Sequence, residues 1–213
     1  MKWHISYSGN NSVAQTSEPT LSNSFVTKKT LLSTLSQIEA LKANNEAAFS
    51  GITIPGFRNV LETENNGTEL SLKLQFVKGE TLKELISKTI SNTEKVKICI
   101  ALVKKLDEVH RKEFVHLNLT PSHILFEEGT TNVFFISLGL ATRIKRKIGI
   151  EKRLLFFEAD YDYIAPEQTG RINADIGFYT DIYSLGIIFY WIFSNQLPFE
   201  SKEGAAKIHA HLA

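Results

Sequence analysis

The chain has 213 residues, 24 basic against 23 acidic side chains and a formal net charge of +1. That balance leaves no electrostatic footprint for nucleic acid or an anionic membrane surface. An apolar content of 43% with 22% charged residues fits a globular chain that can bury a core. The single cysteine, Cys99, excludes an internal disulfide, and no Cys/His spacing suggests zinc.

Met1–Asn10 carries no long apolar run, so no secretion signal is read, and Ile182–Phe193 is too short to span a bilayer. The expected location is cytoplasmic. Residues 1–28 are polar, with strands expected around Lys2–Tyr7 and Ser24–Lys28. Gly9 is the sole glycine there, too few for a loop whose amides must approach phosphates closely. Lys29–Phe49 reads as a helix, with Leu31, Leu35, Ile38 and Leu41 or Lys42 on one stripe. Asn59–Glu64 and Glu69–Val77 flank Asn65-Asn66-Gly67 and read as a hairpin. Along its second strand Leu70, Leu72, Leu74 and Phe76 alternate with polar residues.

Two capping boxes follow: Thr81 with Glu84 opens a short helix, and Ser91 with Glu94 opens a long one running to about Lys112. Val96, Cys99, Val103 and Leu106 are expected on its buried face. From Phe114 to Gly139 a polar loop (His116–His123) precedes two apolar β runs, Ile124–Phe126 and Val133–Ile136, and Ser137-Leu138-Gly139 follows. Thr142–Glu158 is basic and then apolar, which reads as a solvated charge run or a docking surface. In Asp160–Glu200, a helix starting near Asp181 is apolar on several faces and is expected to be buried. Ile182, Leu185, Phe189 and Ile192 form one face, and Ile188 and Trp191 another.

His116-Leu-Asn118 followed by His123, then Ser137-Leu-Gly139, Ala165-Pro166-Glu167 and Asp181-Ile-Tyr-Ser-Leu-Gly186, resembles the motif series of a eukaryotic-type Ser/Thr protein kinase. The run Pro-Glu-Gln-Thr-Gly-Arg-Ile-Asn narrows this. It resembles the N-terminal kinase-like domain of hybrid kinase/ATPase/GAF/sensor histidine kinase signalling proteins. The resemblance covers about Gly51–Ala213 well and residues 1–50 poorly.

It implies an α+β, two-lobed fold: a small β-rich N-lobe with the C-helix over residues 1–78, and a helical C-lobe over 79–213. That C-lobe is expected to stop after the central buried helix, as in a fragment of a longer chain. His116, Gly139, Glu167 and Asp181 are then structural; Asp181 accepts backbone hydrogen bonds from the catalytic loop, and the arginine that pairs with Glu167 lies beyond Ala213. Val13, 15 residues before Lys28, Val26, Lys28, Val77 and Leu125 fall at nucleotide-binding positions. Lys28 equally reads as a solvated strand-end lysine. Gapless counting back from Ile54-Pro55-Gly56 puts Asn45 at the C-helix glutamate position; Glu46 is about 100° further round and faces elsewhere, Glu39 is a more distant candidate, and both read equally as helix-surface acids.

The departures fall on the chemistry. Asn118 holds the place of the catalytic base, and an amide lacks the basicity to take a hydroxyl proton. His123 and Ser137 hold the metal-ligand positions, where magnesium prefers carboxylate oxygen. Asp160 stands where a threonine contacts the base. Thr142 is the one Ser or Thr between Gly139 and Glu167, so activation-loop phosphorylation is not supported.

The expectation is therefore a pseudokinase: a catalytically degenerate kinase fold acting as a regulatory interaction module for a protein partner, histidine kinase or ATPase domains being the candidates. It has no expected metal or cofactor, and no nucleic acid or membrane partner. The alternative is an ATP-binding domain with residual phosphotransfer or a nucleotide switch, ATP then binding without magnesium. A decayed fragment is the third reading.

Overall fold

The computed structural model describes residues 25–31, 37–144, 160–172, 174–199 and 204–212. Val13, the expected strand at Lys2–Tyr7 and most of the basic-apolar segment lie outside these. The first half is a three-stranded antiparallel sheet in the order β1-β3-β2, made of β1 (Phe25–Leu31), β2 (Val60–Asn65) and β3 (Glu69–Gln75). The alternation along β3 is realised: Leu70, Leu72 and Leu74 are buried and the residues between them less so. The hairpin turn closes on Asn66, whose Oδ1 accepts from the Thr68 and Glu69 amides at 3.0 and 2.7 Å, while Gly67 takes φ 87°.

Helix α1 spans Gln37–Ala47, not Lys29 onward. Lys29–Leu31 instead continue β1, with Thr30 opposite Leu70 and Leu31 opposite Glu69. The stripe through Leu31 suggested a helix, but β3 offers this segment a full ladder of backbone partners, and pairing overrides weak periodicity.

The second half begins with β4 (Gly79–Thr81), α2 (Leu82–Ile86) and α3 (Asn92–Arg111). Both capping boxes form: Thr81 and Ser91 each accept from the N3 amide, and Glu84 and Glu94 each accept from the cap amide at 2.8 Å. Strands β6 (Ile124–Glu127) and β7 (Val133–Phe135) join β4 in the order β4-β6-β7, and β5 (Phe114–Val115) pairs with β8 (Thr142–Arg143). Gly79 lies flat on β6: a Cβ there would stand 1.9 Å from the Phe126 carbonyl oxygen. Helix α4 spans Phe178–Ser194 and α5 Gly204–Ala210. Just past α5, His211 bonds the Tyr161 carbonyl and the Tyr183 hydroxyl at 2.8 and 2.9 Å.

Two helix faces differ from expectation. On α3 the buried side is Ile98, Leu102, Leu106 and Val109, while Val96 and Val103 are 47% and 49% exposed and Cys99 is half-buried. Both stripes are apolar at helical spacing, so contact with α4, β5 and β7 decides between them. On α4, Leu185, Ile188 and Ile192 are buried but Ile182 is 58% exposed. Asp181 turns inward, and the next residue, about 100° round, must turn out. One core runs through both halves, joining Phe49, Phe57 and Leu72 to Leu102, Phe135 and Ile188. Among the described residues no helix is long and apolar enough to cross a membrane.

The buried face of α3 is directly testable. Leu102→Ala is expected to cost about 2–5 kcal/mol in denaturant unfolding, and Val103→Ala less than about 1 kcal/mol. Reversed costs would contradict the helix orientation.

Candidate functional site

The site forms where α4, the His116–His123 loop, the Ser137–Gly139 segment and α1 converge. Asp181, wholly buried on the first turn of α4, accepts from the His116 and Leu117 amides, both at 2.8 Å, and from His110 Nε2 at 3.0 Å. Leu117 is held at φ 62°, a left-handed conformation that is strained for a bulky side chain. Its carbonyl accepts from Gln168 Nε2 at 2.8 Å, and Gln168 Oε1 accepts from the Ala165 amide at 3.0 Å. The strained residue is thus fixed from both sides.

His116 is fully buried, ring-edge on Phe57 and Phe135. Its Nε2 donates to the Ile136 carbonyl at 2.9 Å, and Nδ1 accepts the Asn118 amide at 3.3 Å. Burial outweighs the attraction of Asp181 and pushes its pKa down to about 4, so the ring is neutral. His123 Nδ1 donates to the Asn118 carbonyl at 2.8 Å, and burial lowers the pKa of this imidazole too. The Ile136 amide donates to the His123 carbonyl at 2.9 Å, which brings Asn118, His123 and the Ser137 segment together. Ser137 is left-handed at φ 63°. A cavity of about 10 Å³, room for one water, lies beside Asn118 between Asp160, Tyr163 and Ser184.

On the other side, Lys28 Nζ reaches the Glu46 carboxylate at 2.8 Å. This corrects the sequence expectation: Glu46, not Asn45, partners the strand lysine. Ala43, Glu46 and Phe49 are buried at three-residue steps along this helix and its end, so the acid shares the inward stripe. Burial opposes the charge on Glu46, but Lys28, then Arg58 and the Leu138 amide, outweigh it and hold the carboxyl below its usual range. Asn45 instead donates from Nδ2 to the carbonyls of Leu138, Gly139 and Ala141 at 3.4, 2.9 and 3.1 Å. Gly139 abuts α1, where a Cβ would come 3.0 Å from Lys42 Cβ.

Of the remaining named positions, Val77 and Leu125 share a small apolar cluster with Ile136, and Val26 sits on β1 opposite Leu74. Glu167 follows Pro166 in a short 3₁₀ turn, and its Oε1 is buried with no hydrogen-bond partner among the described residues. Sequence reading missed His110 and Gln168. The signal for His110 was its place one turn after Leu106 on the buried side of α3; Gln168 gave none beyond its adjacency to Glu167.

The donor set does not fit a magnesium ion. The two metal-ligand positions hold the His123 imidazole, which suits softer metals, and the neutral Ser137 hydroxyl, where magnesium prefers hard, usually carboxylate, oxygen. Among the described residues no group of three or more His, Cys, Asp or Glu side chains is placed to hold a metal.

The small antiparallel sheet carrying a lysine paired to a helix glutamate, above a loop hung from a buried helix aspartate, defines a protein kinase-like domain. The family model for the protein kinase domain matches residues 9–213. The chain belongs to the protein kinase family. It is 27% identical over 162 residues to a probable serine/threonine-protein kinase PknB of Lactococcus lactis, covering 75% of this chain and 25% of that protein. It is 29% identical over 112 residues to the peroxide stress-activated histidine kinase mak3 of Schizosaccharomyces pombe, covering 50% of this chain and 5% of that protein. A 58-residue match at 41% identity to hybrid signal transduction histidine kinase G of Dictyostelium discoideum covers 27% of this chain and 2% of that protein. The chain spans about a quarter or less of the length of these relatives.

Two predictions follow the charges. Lys28→Met leaves a buried carboxylate short of one cation and is expected to cost about 1–3 kcal/mol, between exposed-pair and buried-pair values. Lys28→Met with Glu46→Leu should cost less than Lys28→Met alone in denaturant unfolding. His116 titrates near 6.5 when unfolded but at about 4 when folded. Its neutral form therefore supports folding fully above pH 6.5, and that support is lost as pH falls towards 4. The loss amounts to about 3 kcal/mol. Thermal midpoints across this window should fall more steeply for the wild type than for His116→Gln.

Proposed function

We propose that this chain is a pseudokinase: a protein kinase fold that works as a regulatory interaction module and not as a phosphotransferase. One observation carries the reading. Among the described residues, hydrogen bonds that shape the kinase loops run through Asp181, His116 and Glu46, around a centre whose base and metal-ligand positions hold Asn118, His123 and Ser137. Phosphoryl transfer depends on positioning and on metal ions that neutralise phosphate charge. Asn118 cannot act as the base, and the neutral donor set does not supply the metal sites.

The partner is a protein, and histidine kinase or ATPase domains of a larger signalling protein are the candidates. Similarity to proteins named as histidine kinases supports this. The expected location is cytoplasmic.

A second reading is a nucleotide-binding switch that works without magnesium. The Lys28–Glu46 pair favours it, because a strand lysine so held can meet a phosphate.

Thermal unfolding with and without ATP, each with magnesium, manganese or chelator, separates the readings, since a ligand of the native state raises the midpoint by mass action. No shift at millimolar ATP is the expected result and removes the switch. A shift that survives chelator supports the metal-free switch. A shift that requires metal, together with transfer of labelled phosphate, refutes the pseudokinase reading.

A further inference from the structure

Neighbouring residues Asn45 and Glu46 grip the same short segment in complementary ways. The Asn45 amide donates to the carbonyls of Leu138, Gly139 and Ala141, the two best contacts at 2.9 and 3.1 Å. The Glu46 carboxylate draws on the Leu138 main-chain amide, with Lys28 on its other side. One turn earlier, Lys42 lies close against Gly139, where a Cβ would stand 3.0 Å from the Lys42 Cβ. One turn later, Phe49 packs on Phe57 at 6.0 Å between ring centroids, and Phe57 in turn on His116 at 5.8 Å. Four consecutive contacts thus run down one side of α1. Each joins two groups of the protein directly.

We propose that Asn45 is a positioning residue that latches α1 to Leu138–Ala141 without ligand, so that α1 keeps this placement with or without nucleotide. A carboxamide suits such a latch because it offers two donors to a row of carbonyls, and its loss strands buried acceptors. The latch rests on geometry. Its use, to present one fixed surface to a protein partner without a nucleotide cycle, rests on the pseudokinase reading.

Hydrogen exchange on the whole chain tests it. In the ligand-free wild type, amides of α1 and of residues 138–141 should be protected to the same degree with chelator as with ATP and magnesium. Asn45→Ala, and the isosteric Asn45→Asp, which replaces the donor by an acceptor, should speed exchange in both segments about tenfold, the change that one buried hydrogen bond implies. Exchange in Leu102–Val109 of α3 should stay as it was.

Three results overturn the latch: unchanged exchange in both variants, acceleration spread evenly through α3, or wild-type protection that appears only with ligand. If neither variant folds, the wild-type comparison decides alone. Metal-dependent phosphate transfer by the wild type overturns the pseudokinase reading and leaves the exchange result to judge the latch separately.

Discussion

A single buried carboxylate organises this structure. Asp181 has no contact with solvent, and removing an ionised side chain from water costs several kcal/mol unless donors replace the lost hydration. Three donors do so: two loop amides at 2.8 Å and the His110 ring at 3.0 Å. Charge-assisted bonds of this kind are roughly twice as strong as neutral ones. They hold Leu117 in a left-handed conformation that a free chain would leave. The same inward turn of Asp181 sends Ile182 to the surface and fixes the rotation of α4 against the core.

Because the anchoring bonds involve main-chain atoms, the loop's shape is independent of its chemistry. Asn118 contributes its amide and carbonyl to His116 and His123, whatever its side chain carries. Replacing an acid by an amide therefore leaves the scaffold standing. His123 adds a bond of its own by donating to the Asn118 carbonyl, which closes the loop from within. Architecture and reactivity are held by different atoms, and a kinase fold can retain the first while departing from the second.

The first half obeys the same logic with charges of both signs. Glu46 is buried and carries two nearby cations and a backbone amide, which together outweigh its desolvation. Lys28 completes this set from β1, so strand, helix and the Ser137–Gly139 segment meet at one carboxylate. Asn45 and Gly139 make that meeting close, one by donating to carbonyls and the other by lacking a side chain.

Local chemistry was legible in the sequence. The Asn-Gly hairpin, both capping boxes, the paired short strands and the Ala165-Pro166-Glu167 turn each depend on residues within a few positions of one another. The structural roles of His116 and Asp181 were implied by the resemblance of their motifs to those of kinases. Where the sequence reading went astray, tertiary contact was the reason. β1 runs through Leu31 because β3 supplies backbone partners there. The buried face of α3 is one of two equally apolar stripes, chosen by α4 and the strands beneath. Glu46 meets Lys28, and not Asn45, because the orientation of α1 is fixed by packing on Phe57 and Gly139, which no gapless count through residues 48–56 can register. Sequence determined the locally coded elements and the residue types at the motif positions; the fold decided where β1 ends and which side of each helix faces inward, because both depend on neighbours remote in the chain.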